Sequence, residues 1–287
     1  MAEHLDNYPK FKIFGRVVLF WLSFIGLFMA FSFLYSFFPP IDSKMIGMRH
    51  GITGAVVAFI VTGVFLKMEK KSFRDIGLVW EKNTLLKFLG GILAGSVLFG
   101  VMLLILLKIA GMQLLPNNKS FDYRLLVGYL AFIPLALMEE VAFRSYPFRR
   151  LTDTFGLRPS QVIVGISFAL YHLIGGWSLY SAFTGPFVWS FVFGLAAARS
   201  GGIAVPTGIH IMLNVLQVLT GMKEGPDSMW KLSYVGGASK DALARTEMTG
   251  LFLQVAVLVA AIAATEYFIR RKSAGRVSRV PSMRKTN

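Results

Sequence analysis

Eight apolar runs, spaced along almost the whole chain, constrain its fold more than any other feature. They lie at 17–38, 51–67, 87–110, 125–143, 160–176, 181–200, 202–222 and 249–269. A helix rising 1.5 Å per residue needs about 20 residues to cross about 30 Å of hydrocarbon, and most of these runs supply that. Backbone N–H and C=O groups in hydrocarbon must be satisfied within the structure, which leaves helices or a closed barrel. Runs this long and this continuously apolar select helices. The fold class expected is therefore all-α, a polytopic membrane helical bundle of about eight transmembrane helices. Composition agrees: of 287 residues 55% are hydrophobic and 16% charged. A net charge of +15 would otherwise suggest nucleic acid, but a soluble basic domain could not carry so little charge on its surface. The partner expected is the lipid bilayer, with no nucleic acid.

The basic residues read as topology. Cytoplasmic loops of membrane proteins carry the excess of Lys and Arg. Counted in alternate loops, the segment before the first run, the 67–87 loop, the 144–158 segment, Arg199 and the tail from Arg270 together hold 21 of the 30 Lys and Arg. Both termini are thus expected on the cytoplasmic side of a multi-pass protein. The organisation that follows is a cytoplasmic N-terminus over 1–16, a transmembrane domain over 17–269 with its informative core at 125–222, and a basic cytoplasmic tail over 270–287. The first run resembles a signal peptide preceded by Lys10, Lys12 and Arg16, but it is too long and lacks a small-residue cleavage site. It is expected to remain as the first span. Gly91 and Gly95 form a G-x-x-x-G that lets helix backbones approach closely, Gly175-Gly176 is expected to make a tight turn, and Pro134, Pro186 and Pro206 are expected to kink their spans. The 68–86 loop, which mixes charge with Phe73, Ile76 and Trp80, reads either as an interfacial segment or as an ordinary basic loop.

The informative residues are the polar ones inside the spans. Glu266, near the end of the last run, is expected to pair with Arg270 four residues on. Glu139 and Glu140 are adjacent in an otherwise apolar run, where each acid costs about 2.5 to 3.5 kcal/mol at a helix centre. His172, His210 and Asn214 are also within runs. Residues four apart share a helix face, which groups Glu140 with Arg144, Phe168 with His172, and His210 with Asn214. Taken singly, a membrane His or Asn is most simply an interhelical hydrogen-bonding group.

Depth decides whether they meet. A fourth helix ending at Arg144 leaves Glu139 about 8 Å from its end, while His172 is about 18 Å and His210 about 12 Å into theirs. A helix running on to Arg149-Arg150, with Arg144 buried, puts Glu139 about 17 Å deep and brings the levels together. That arrangement also gives Glu140 a buried cation one turn away, leaving Glu139 for chemistry. The chain has no cysteine, so thiol nucleophiles and Cys-ligated zinc are excluded.

The ordered set Glu139-Glu140-x-x-x-Arg144, Phe168-x-x-x-His172 and His210-x-x-x-Asn214, on three separate spans, resembles the CAAX prenyl protease and bacteriocin-processing (CPBP) family of intramembrane proteases. Phe73-Arg74-Asp75-Ile76-Gly77-Leu78 resembles a more loosely shared segment. The resemblance implies an intramembrane endopeptidase acting on a membrane protein or lipidated peptide substrate. It implies catalytic roles for Glu139 and His172, which would activate water, and for His210 and Asn214, which would stabilise the oxyanion; Glu140, Arg144 and Phe168 would support them. A desolvated carboxylate and fixed donors suit those roles. The favoured mechanism is metal-free; the alternative cofactor is Zn, for which Glu139, Glu140, His172 and His210 would be the ligands. Access is expected from the cytoplasmic side or laterally from lipid. Competing readings are a rhomboid-like serine protease built on Gly165-Ile166-Ser167-Phe168, which lacks the final glycine and leaves both glutamates idle, an ion-coupled transporter, and a non-catalytic binding or immunity protein.

Overall fold

A computed structural model of the chain describes residues 10–117, 123–223 and 228–277. The first nine residues and the last ten, which belong to the expected N-terminal segment and basic tail, lie outside the described residues. Eleven α-helices and two short strands are present among the described residues: α1 (Lys10–Leu34), α2 (Ser43–Met68), α3 (Thr84–Ile109), β1 (Met112–Pro116), α4 (Tyr123–Leu130), α5 (Phe132–Arg144), α6 (Tyr146–Phe155), α7 (Leu157–Ile174), α8 (Leu179–Thr184), α9 (Pro186–Ser200), α10 (Ala204–Leu219), β2 (Trp230–Tyr234) and α11 (Lys240–Val277). Several helices combine into single spans. Seven candidate spans are long and apolar enough to cross a bilayer, among them Leu125–Phe155 and Leu179–Ser200, and Ala204–Leu219 is a shorter apolar helix. The protein is an integral membrane helical bundle, as the eight runs predicted.

The fourth span departs from expectation. It does not continue as one helix to Arg149-Arg150 but breaks at Ser145, whose φ of −92° and ψ of −108° are not helical. Pro147 supplies the physical reason, since it has no N–H to offer the carbonyl of Phe143. The break frees carbonyls that the structure reuses: Ser145 Oγ donates to the carbonyl of Val141, and Trp21 Nε1 donates to that of Ala142 at 3.1 Å. The prolines expected to kink helix interiors lie instead in first turns. Pro186 opens α9, Pro206 is the third residue of α10, and Pro134 is the third residue of α5. A missing N–H costs little there.

The G-x-x-x-G reading holds. A Cβ on Gly91 would stand 2.2 Å from the carbonyl oxygen of Val205, and one on Gly95 would stand 2.8 Å from that of Ile209, so α3 and α10 meet backbone to backbone. The small antiparallel sheet was not foreseen. It joins the loops after α3 and α10, pairing Met112 with Tyr234, Leu114 with Leu232 and Pro116 with Trp230.

The two ends of the bundle differ. At one end the carboxylate of Glu69, after α2, accepts from Arg16 Nη1 at 3.1 Å and Tyr146 Oη at 2.9 Å, with Arg150 Nε 2.8 Å away. The 68–86 loop docks at this end: Ile76 is buried and a Cβ on Gly77 would clash with the carbonyl of Gly201, while Trp80 stays exposed. Ser72 donates to Asp75 through its N–H at 2.7 Å and its hydroxyl at 2.9 Å, and these bonds hold the Asp75 carboxyl below the usual carboxylate range. Glu266 is also here, but it does not take the expected partner on its own helix. It binds Arg158 of α7 through Nε at 2.5 Å and Nη2 at 2.6 Å, a two-pronged geometry that planar guanidinium favours. The β1–β2 sheet lies at the opposite end.

Candidate active site

Arg144 is buried, as the depth argument required, even though the helix stops beside it. Its side chain and that of Glu140 are both fully inaccessible, with Nη1 3.5 Å from Oε1. The guanidinium lies between aromatic faces, 4.1 Å from the ring centroid of Phe168 and 5.1 Å from that of Phe193. Desolvated cation–π contacts of this kind contribute about 2 kcal/mol and help offset the burial of charge.

Glu140 has a second partner that sequence spacing did not reveal. His210 Nδ1 lies 2.9 Å from Glu140 Oε1, and the other ring nitrogen, Nε2, lies 3.5 Å from Glu139 Oε2. The imidazole of α10 is therefore held between adjacent carboxylates of α5. Beside an arginine, Glu140 is the acceptor, so Nδ1 carries a proton toward it. Phe193 of α9 stacks on the same imidazole, with centroids 4.7 Å apart and planes 18° apart. Phe193 thus fixes both Arg144 and His210, and nothing in the sequence marks it among 26 phenylalanines.

His172 is oriented by its own helix. Its Nδ1 lies 2.8 Å from the carbonyl oxygen of Phe168, and a carbonyl can only accept, so Nδ1 carries the proton. A neutral ring then has its lone pair on Nε2. Phe168 meets the ring edge to face at 4.6 Å, and Trp177, after the Gly175-Gly176 turn, packs against it at 5.1 Å. Phe168 is thus a hub: its carbonyl sets the tautomer of His172 while its ring lies against Arg144.

A cavity of about 640 Å³ collects these groups, with Glu139, Phe168, His172, His210 and Asn214 all on its wall. The Glu139 side chain is 15% exposed, while Glu140 is sealed. The two adjacent acids are accordingly differentiated, one facing the cavity and one facing the arginine. Asn214 is half-buried and makes no hydrogen bond to the described residues, which leaves its amide available to a ligand. Ser167, the serine of the rhomboid-like alternative, does not line the cavity.

The mouth lies at the end of the bundle opposite Glu69 and Glu266. Its residues come from the last turns of α7 and beyond (Ile174, Trp177), from beyond α10 (Met222, Lys223) and from the starts of α2 and α9 (His50, Pro186).

Zinc would need Glu139, Glu140, His172 and His210 to converge. Among the described residues no three His, Cys, Asp or Glu side chains are grouped to hold a metal ion. Glu140 faces the guanidinium of Arg144 and accepts from His210 Nδ1 instead. The donors as arranged do not fit a zinc centre.

Fold and site together define a polytopic helical membrane protein with an acid, two imidazoles and an amide around one cavity. Residues 120–216 match the model of the family described as type II CAAX prenyl endopeptidase Rce1-like. The match covers all three motifs and bears out the CPBP resemblance over the segment that carries them, supporting a protease that acts on membrane-associated substrates. No curated protein matches the chain.

Proposed function

We propose that the protein is a CAAX-protease-like intramembrane endopeptidase of the metal-free, glutamate type. The observation that carries this reading is the grip of Glu139 and Glu140 on His210, with Arg144 behind, inside a cavity that His172 and Asn214 also line. With His210 carrying both ring protons, the two carboxylates, the guanidinium and the imidazolium sum to zero charge. Such a set is tolerable in a dry site, where an unbalanced charge is not.

Each residue then has a task. A water molecule donates to Glu139 and to the lone pair on His172 Nε2, and its oxygen attacks the scissile carbonyl carbon as Glu139 takes its proton. The carbonyl oxygen becomes an oxyanion that accepts from His210 Nε2 and the Asn214 amide, donors fixed in advance by Glu140, Phe193 and the α10 backbone. Collapse of the tetrahedral centre breaks the C–N bond, and Glu139 returns its proton to the leaving nitrogen. The substrate is a membrane protein or lipidated peptide.

The excess of Lys and Arg on the loops at the Glu69 end supports a cytoplasmic position for that end, and the extension of the cavity toward Ile174, Trp177 and Lys223 supports entry of the scissile bond from the opposite side. Having no cysteine, the chain permits a clean test in intact cells with a membrane-impermeant maleimide. Trp177→Cys, at the mouth, should label from outside, and Lys82→Cys only after permeabilisation; the reverse pattern overturns the assignment of sides. The activity itself is tested by terminal sequencing of membrane proteins incubated with reconstituted protein. New termini that persist under strong zinc chelation are expected, and their loss on chelation would contradict the metal-free mechanism.

A further inference from the structure

The cavity also holds polar side chains that the hydrolytic mechanism does not use. α10 lines it with His210, Leu213, Asn214 and Gln217, the i, i+3, i+4 and i+7 pattern of one helix face. Gln217 is the outermost of these, about 4.5 Å beyond Asn214 toward the mouth at 1.5 Å per residue. Its carboxamide is half-buried and makes no hydrogen bond among the described residues, and neither of its polar atoms is sealed. His50 of α2 stands on another wall. Gly51 beside it packs so closely on α5 that a Cβ would lie 2.7 Å from the backbone nitrogen of Leu135, which sets His50 one helical turn, about 6 Å, to the mouth side of Glu139. Its imidazole meets the ring of Phe28 edge to face at 6.2 Å and makes no hydrogen bond among the described residues. A polar side chain within a span ordinarily finds its partner on a neighbouring helix, because hydrocarbon offers none. Two that share one cavity without partners are placed for something that enters it.

We propose that Gln217 and His50 bind the backbone of a substrate segment held in extended form on the mouth side of the scissile bond. This rests on the endopeptidase reading and names how the same site takes its substrate. A peptide inside the bilayer keeps its N–H and C=O groups paired by remaining helical. Presenting one bond to Glu139 unwinds a few residues, and their freed groups are costly in a dry cavity unless the wall pairs them. A carboxamide both donates and accepts, as a peptide group does, and a neutral imidazole has one nitrogen for each role. At about 3.3 Å per extended residue, Gln217 reaches the peptide group one or two residues beyond the carbonyl held at Asn214. Such a track reads backbone and leaves side chains free, so it admits many sequences and requires only a stretch that unwinds.

The test uses the full-length protein in nanodiscs, with Glu139→Gln present so that bound peptide is not consumed. The probes are two palmitoylated octapeptide libraries randomised over alanine, leucine, serine and phenylalanine, identical except that one carries esters in place of alternate amides, which removes those N–H groups. Retained peptide is counted by mass spectrometry. The amide library should be retained about 10-fold over the ester library, and adding Gln217→Leu with His50→Phe should bring the ratio to about 2-fold or less at an unchanged unfolding midpoint. Each single change should give part of that loss. A merely structural role weakens both libraries alike and leaves the ratio where it was. Equal retention of the two libraries, retention of neither, or an undiminished ratio in the variants overturns the proposal. Cleavage by the parent protein is scored apart: a preference for amides without any cleavage sinks the protease reading and keeps the track, while cleavage without the preference does the reverse.

Discussion

Replacing Arg144 by Met should be among the most damaging single changes in this protein, and the reason is electrostatic more than steric. Glu140 and Arg144 are fully buried and 3.5 Å apart. At an effective dielectric of about 20, two unit charges at that distance attract by about 5 kcal/mol. Arg144→Met leaves the Glu140 carboxylate sealed in the bundle with His210 as its one remaining partner, and stranding a buried charge costs about 3 to 5 kcal/mol. Adding Glu140→Gln removes the stranded charge while keeping an oxygen that accepts from His210 Nδ1. The double variant should therefore be more stable than Arg144→Met alone, by about 1 to 3 kcal/mol. Reversible unfolding of the four proteins in mixed micelles gives the coupling energy directly. Single costs that add to within about 0.5 kcal/mol, or an Arg144→Met protein as stable as the parent, would refute the buried pair.

Two further outcomes follow from particular contacts. Phe193→Leu removes the ring that stacks on His210 and lies beside Arg144, so kcat should fall about 10-fold with KM nearly unchanged; steady-state kinetics on a cleaved peptide would show it, and a pure KM effect would place Phe193 in binding instead. Gly91→Ala drives a methyl into the backbone of α10 at Val205 and should cost about 1 to 3 kcal/mol of stability, while Gly90→Ala, whose Cβ would meet nothing within 4 Å, should be neutral; unfolding measurements on the pair distinguish close backbone packing from a general effect of glycine replacement.

The features legible in the sequence are those with local signatures. Eight spans follow from continuous apolarity, the Glu140–Arg144 pair from i,i+4 spacing and the cost of a lone charge in hydrocarbon, and the α3–α10 contact from Gly91 and Gly95. The break at Ser145 also has a local cause in Pro147, but it comes after the apolar run ends, where hydropathy no longer draws attention. The His210–Glu140 bond joins residues 70 positions apart and depends on how three helices are rotated, which spacing within one helix does not set. Phe193 carries no mark because a core aromatic and a site aromatic look alike in sequence. The lone pair on His172 was legible only in part: Phe168 was known to share its helix face, but that its backbone carbonyl, along with its ring, does the positioning emerges from the fold. The β1–β2 pairing links two loops that sequence reading left as connections.

The central claim is that Glu139 is the base that activates water. Single-turnover cleavage by Glu139→Gln, in protein whose unfolding midpoint matches the parent, tests it most directly: the amide keeps the shape and cannot take a proton, so the account predicts a rate at least about 100-fold lower. A rate within a few-fold of the parent would contradict it.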